Sequence, residues 1–186
     1  MIGVLPKSLT LGEKQYPIRT DFRVALRIFE AFDDKTLTAH EQAYICLKNI
    51  FYEPESIPDE LLQQAVERAY WFLGGGDMPS SQEESVKLLD WKQDEGILFP
   101  AVNKSAGFEV RECEYLHWWT FLGFFSEIGE GLFTSVMSIR QKRARGKPLE
   151  KYEKEFYIKN KHLINIRSAE DDEAMDELNG VLSVLI

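Results

Sequence analysis

The chain has 186 residues, room for one ordinary domain or two small ones, and 44% of them are hydrophobic, which argues against wholesale disorder and makes metal or disulfide staples unnecessary for folding. Its formal net charge of −9 favours solubility and disfavours nonspecific attraction to nucleic acid or anionic membrane. Two cysteines, Cys46 and Cys113, are too few for a disulfide scaffold; Met1-Ile2-Gly3-Val4-Leu5-Pro6 lacks the basic flank of a secretory signal, and no apolar run approaches the ~20 residues of a membrane span, so a cytosolic protein is expected.

Residues 9–20 read as a β-hairpin, with Gly12 and polar neighbours at the turn. Pro17 cannot donate to a ladder, which puts its strand at an edge. Thr20 or Asp21 caps a first helix, whose Phe22, Leu26 and Phe29 recur at helical spacing before Asp33-Asp34-Lys35 ends it. Thr38 caps a second, with Glu41 completing a capping box and Ala43, Leu47 and Ile50 as its apolar stripe. A third starts with Pro58 and runs through Leu61, Leu62, Ala65, Val66, Ala69 and Phe72 to Leu73.

Gly74-Gly75-Gly76-Asp77-Met78-Pro79-Ser80-Ser81 is the strongest punctuation in the chain. It reads as a linker over 74–83 between an N-terminal unit, 1–73, and a C-terminal helical unit, 84–167; an ordered surface loop within one domain is the alternative. Val86, Leu89, Ile97, Phe99 and Val102 imply one helix and a shorter second, with Gly96 and Pro100 blurring the boundary. Residues 115–126 read as a helix that is apolar nearly all round, with Trp118, Leu122 and Phe125 on one face and Trp119 and Phe121 elsewhere. Gly129 and Gly131 interrupt it. Leu132, Val136 and Ile139 open the next helix, which Gly146-Lys147-Pro148 stops.

Leu149, Tyr152, Phe156 and Ile158 mark a further helix. Its Glu150–Lys154 and Glu155–Lys159 pairs have the favourable order, worth ~0.2–0.5 kcal/mol each. The acidic segment 168–186 either forms a helix through Met175, Leu178 and Leu182 or stays loose until bound. The expected fold class is mainly α-helical with a small N-terminal β-hairpin, in two helical units joined by a Gly/Ser/Pro-rich linker.

Two features stand out as candidate sites. Six aromatic rings and a histidine crowd Tyr115–Phe125. Tyr115, Leu116, His117, Trp118, Trp119, Phe121 and Phe125 therefore form either a core element or a face for self-association or a client, and both readings can hold together. The second feature is a basic surface of Arg140, Lys142, Arg143, Arg145 and Lys147. From Ile139 to Arg167 there are ten basic and three acidic residues, whereas from Ser168 to Ile186 there are six acidic and no basic ones. The two segments can pair within a chain or between subunits, which weighs against nucleic acid as the partner.

Catalytic chemistry finds no purchase. Cys113 and His117, four apart, are at most half of a zinc site. Cys113, His117 and Glu114 point different ways on a helix, so they do not form a nucleophile, base and orienting acid. Glu127 and Glu130 read as a surface turn beside Gly129. The triple glycine lacks the Lys-Ser/Thr of a phosphate loop. No enzyme activity, metal or cofactor is expected.

Leu89-Asp90 and Asp94, Ile97 through Val102, Glu114-Tyr115-Leu116-His117-Trp118-Trp119, Ile139-Arg140, and Lys154-Glu155-Phe156-Tyr157 with Asn160-Lys161 together resemble the bacteriophage Gp15 protein family. The likeness runs from the hairpin to about Arg167. Where that family carries a tyrosine-glycine pair, this chain has Ala106-Gly107. The resemblance implies a protein of tailed phages and prophages of Gram-positive bacteria, acting in the host bacterial cytoplasm. It further implies a noncatalytic tail assembly chaperone that holds the tape measure protein while the tail tube polymerises; self-association is the expectation the aromatic cluster adds. A structural tail completion or connector protein of the virion is one alternative, and a nucleic-acid-binding regulator using the basic run is another.

Overall fold

The computed structural model describes residues 3–77 and 87–167; Val86, residues 78–83 of the expected linker and the acidic segment 168–186 lie outside them. The described residues hold one two-stranded antiparallel sheet and eight α-helices, a mainly α-helical fold with a small N-terminal hairpin. They divide into two units, Met1–Ser85 with Leu98–Gly129, and Val86–Ile97 with Glu130–Ile186.

In the first unit, β1 (Ser8–Leu11) pairs with β2 (Lys14–Pro17), setting Leu9 opposite Tyr16 and Ser8 opposite Pro17. The Ile18 N–H donates to the Lys7 carbonyl at 3.0 Å just beyond the ladder. Because antiparallel pairs alternate, Ser8 and Pro17 then form a non-hydrogen-bonded pair, and the missing proline N–H costs the ladder nothing. Leu9, Leu11 and Tyr16 are buried.

Helix α1 (Phe22–Asp33) starts at the Asp21 cap and buries Phe22, Ala25 and Ile28. Leu26 and Phe29 are only half-buried, so the inward face is turned from the expected one. Helix α2 (Ala39–Ile50) carries the Thr38–Glu41 capping box and buries Cys46, Leu47 and Ile50. Burial pushes the Cys46 thiol up to about 12. Helix α3 (Leu62–Leu73) starts later than Pro58, which instead precedes a short 3₁₀ turn at Asp59–Leu61.

Helix α4 (Glu95–Ala106) is a single helix with Pro100 inside it, where the sequence implied two. Residues 87–90 carry no regular structure, and 91–94 form a turn. The boundary between the units falls within α4, at Ile97 and Leu98. Helix α5 (Trp118–Ser126) belongs to the first unit. This corrects the sequence-based division, which grouped it with the C-terminal half. Its rings pack on those of α1 and α3, and that contact sets its membership.

The second unit packs α6 (Leu132–Ala144), α7 (Lys151–Lys159) and α8 (Lys161–Ile164) around Val136, Ile139 and Ile164. Ile97, Met137, Leu149, Phe156, Tyr157 and Leu163 lie against that small core. Tyr152 and Ile158 are exposed rather than inward, at 69% and 66%. Neither expected ion pair on α7 forms; Glu153 turns inward and takes Lys142 at 2.6 Å.

Candidate functional site

Two short extended segments organise the aromatic region. The Phe22 N–H donates to the Leu116 carbonyl at 2.9 Å, and the Trp118 N–H donates to the Thr20 carbonyl at 2.7 Å. Asp21 joins them from the side, accepting from the Arg23 N–H at 3.0 Å as helix cap and from the Leu116 N–H at 3.2 Å. Arg23 donates to the Cys113 and Arg111 carbonyls. Tyr115–His117 cannot be helical while these bonds hold, so α5 begins at Trp118 and not at 115. Tyr115, 53% exposed, is tethered by a 2.7 Å hydrogen bond between its hydroxyl and Thr20 Oγ1.

His117 is the N-cap of α5. Its Nδ1 accepts from the Trp119 N–H at 3.0 Å, so the ring proton sits on Nε2, which donates to the Pro6 carbonyl at 2.9 Å. Burial holds the imidazole below its ordinary pKa, helped by the nearby Lys7 charge and opposed by the Pro6 carbonyl. Both ring nitrogens are committed, so neither offers a lone pair to a metal or a substrate proton.

The two tryptophans finish the end of α3. Trp118 Nε1 donates to the Leu73 carbonyl and Trp119 Nε1 to the Phe72 carbonyl, each at 2.9 Å. The Gly76 and Gly75 N–H groups return to Trp71 and Phe72, and that of Gly74 returns to Tyr70. Every carbonyl of the last turn is thereby satisfied. Gly75 has φ +72° and Gly76 φ +106°; a Cβ on Gly76 would lie 3.3 Å from Trp119. The triple glycine is thus a helix stop fitted against α5, and the described start of the expected linker is a built turn.

Around this frame Phe121 stacks on Phe22 at 4.8 Å and on Trp118 at 5.6 Å, while Phe29 meets Trp118 at 5.7 Å. Leu116, His117, Trp118 and Phe121 are core residues. Trp119 and Phe125 are half-buried. The inward face of α5 is therefore Trp118 and Phe121, and not Trp118, Leu122 and Phe125. The part of the cluster that reaches the surface adds two residues the sequence reading did not single out. Trp71 packs edge-on to Trp119 at 5.4 Å, and the Arg68 guanidinium lies 4.6 Å over the Trp71 ring with its Nε buried and unpaired. Arg68 and Trp71, three apart on α3 beside the glycines, were the available signal.

The basic run is not one surface. Arg140 is buried: its guanidinium makes a two-pronged ion pair with Asp94 at 2.6 and 2.8 Å and donates to the Leu88, Leu163 and Ile164 carbonyls. All five of its N–H donors are used. Its place on α6, four residues after buried Val136, turns it inward, which corrects its assignment to the surface. Lys142 is half-buried against Glu153, and each holds the other's charged form. Arg143 lies over Tyr157 and donates to Asn165 Oδ1. Arg145 and Lys147 are exposed.

Among the described residues, no group of three His, Cys, Asp or Glu side chains could hold a metal ion, and no helix is long and apolar enough to cross a membrane. What the aromatic region offers is an apolar surface of half-buried tryptophan rings beside the Arg68 guanidinium. No curated protein and no solved structure matches the chain. The family model described as Bacteriophage Gp15 protein matches residues 1–166, a span that takes in the aromatic cluster and the Asp94–Arg140 pair alike. On that match the chain belongs to the Bacteriophage Gp15 protein family, which supports a structural or assembly role in a phage.

Proposed function

We propose that the protein is a noncatalytic tail assembly chaperone that binds the tape measure protein in the host cytoplasm while the tail tube assembles. Family membership over residues 1–166 is the observation that carries this reading. The aromatic region gives it a surface: Trp71 and Trp119 are half-buried on a frame of hydrogen-bonded carbonyls, and the Arg68 guanidinium lies over the Trp71 ring. Rigid tryptophans beside an arginine are the residue types that anchor protein interfaces. A long helical client would meet such a face many times along its length, so weak contacts made by a self-associating chaperone would add.

Co-expression with the tape measure protein, followed by size-exclusion chromatography with light scattering, tests the reading. A soluble complex holding several copies of this chain per client is the expected result. Separate elution with a precipitating client would refute it. Mass spectrometry of purified particles separates a chaperone from a tail completion or connector protein, since only the latter stays in the virion in stoichiometric amount.

A further inference from the structure

Residues 87–94 belong to the second unit, ahead of α4, and contain neither helix nor strand. Their shape is set from within. The Asp90 N–H donates to Asp94 Oδ2 at 3.0 Å, the Gln93 N–H to Asp90 Oδ1 at 2.7 Å and the Asp94 N–H to the Asp90 carbonyl at 2.9 Å. Two short carboxylates thereby fold the segment onto itself, as such side chains do in turns.

What fastens it to the rest of the unit is polar. Arg140 donates to the Leu88 carbonyl and to both Asp94 oxygens. Gln93 Nε2 donates to the Asn165 carbonyl at 2.8 Å, and its Oε1 accepts from the Arg167 N–H at 2.8 Å. The side chains packed around Val136, Ile139 and Ile164 do not include Leu88, Leu89 or Trp91, which are half-buried. Arg140 does not depend on the segment for its place, since Nε and Nη2 also donate to the Ile164 and Leu163 carbonyls. A buried ion pair is close to break-even, because both ions recover hydration when it opens. An attachment of that kind opens more cheaply than a packed apolar core does.

We infer that residues 87–94 form a strap, closed by Asp94 on Arg140 and latched by Gln93, that opens as one piece while α6, α7 and α8 stay folded. Opening frees three guanidinium N–H groups that two backbone carbonyls continue to hold in position. Those groups make a seat for a carboxylate, and in the closed form the strap's own Asp94 fills it.

Modification of Arg140 by phenylglyoxal in the full chain, mapped by mass spectrometry at low urea concentrations, tests this beside hydrogen exchange of the slowest α6 amides. The Arg140 rate should be nearly flat in urea, because a local opening exposes little surface, while exchange in α6 rises steeply. Gln93→Ala should raise the Arg140 rate several-fold and leave α6 exchange unchanged. A urea slope for Arg140 equal to that of α6, or no modification short of unfolding, would overturn the inference. So would a Gln93→Ala variant whose Arg140 rate is unchanged, or one in which α6 exchange rises by the same factor.

Discussion

The two units solve the problem of a core in opposite ways. The first buries aromatic area: Trp118, Phe121, Phe22 and Phe72 are each about 1% exposed or less, and the polar atoms among them finish helix ends. The second has Val136, Ile139 and Ile164 as its buried hydrophobic cluster and is tied together by Arg140, whose five donors reach Asp94 and three backbone carbonyls. An aromatic core tolerates the loss of one polar contact, because dispersion and area hold the rest. A small core built on a charge does not, because removing either partner leaves an uncompensated buried ion. The first unit should therefore fail by cavity and the second by desolvation.

Trp118→Ala sets the scale for the first unit. It removes a fully buried indole and its bond to the Leu73 carbonyl, so a loss of about 3–5 kcal/mol is expected in urea unfolding. Arg140→Met makes the corresponding break in the second unit, at about 3–5 kcal/mol, since Asp94 is left buried without its partner. Replacing Asp94 as well is the sharper test. In a simple buried pair, apolar replacement of both members often restores stability. Here the Leu88, Leu163 and Ile164 carbonyls would still lack donors, so the double variant should stay well below wild type. A fully rescued double variant would mean that the pair alone matters and would erase the contrast drawn between the units.

Local chemistry was legible in the sequence wherever the determinant was local. The Thr38–Glu41 box, the Asp21 cap and the hairpin turn at Gly12 follow from side chains within three or four residues of their targets. What was hidden depended on distant partners. Tyr115–His117 has the composition of a helix, yet its backbone is bonded through Leu116 to Asp21 and Phe22, far back in the sequence. Arg140 reads as one more member of a basic run until Asp94 is placed against it. The core role of Leu116, His117, Trp118 and Phe121 was one of two open readings, and the surface patch was half visible: Trp119 was named, but Trp71 and Arg68 come from another helix. The return of residues 98–129 to the first unit was hidden because the rings that hold α5 there, Phe22, Phe29 and Phe72, lie far back in the sequence.

The glycines sharpen the comparison at a smaller scale. In a free linker Gly→Ala is neutral or stabilising, by roughly 0.4–1 kcal/mol, through the unfolded state. Gly76 sits at φ +106° against Trp119, so Gly76→Ala should instead destabilise by about 1–3 kcal/mol and perturb the tryptophan emission. The sign alone decides between a linker and a built turn.

The smallest expected effect belongs to His117 and is read by pH. Its folded pKa lies below the ordinary value near 6.5, so on acidification the unfolded chain takes up the proton first. Stability is then constant above about pH 7 and falls as pH drops from 6.5 toward the folded pKa, by no more than ~1.4 kcal/mol per pH unit. Protonation is also self-defeating structurally, because a proton on Nδ1 removes the acceptor that caps α5 at the Trp119 N–H. His117→Asn keeps a capping side chain but cannot titrate. Urea midpoints of wild type and variant, measured from pH 7.5 to 5, should converge on acidification as the wild type loses its advantage. Parallel curves would show that the imidazole gains its proton in the folded state as readily as in the unfolded one. The aromatic unit would then draw its pH response, if it has one, from somewhere other than this cap.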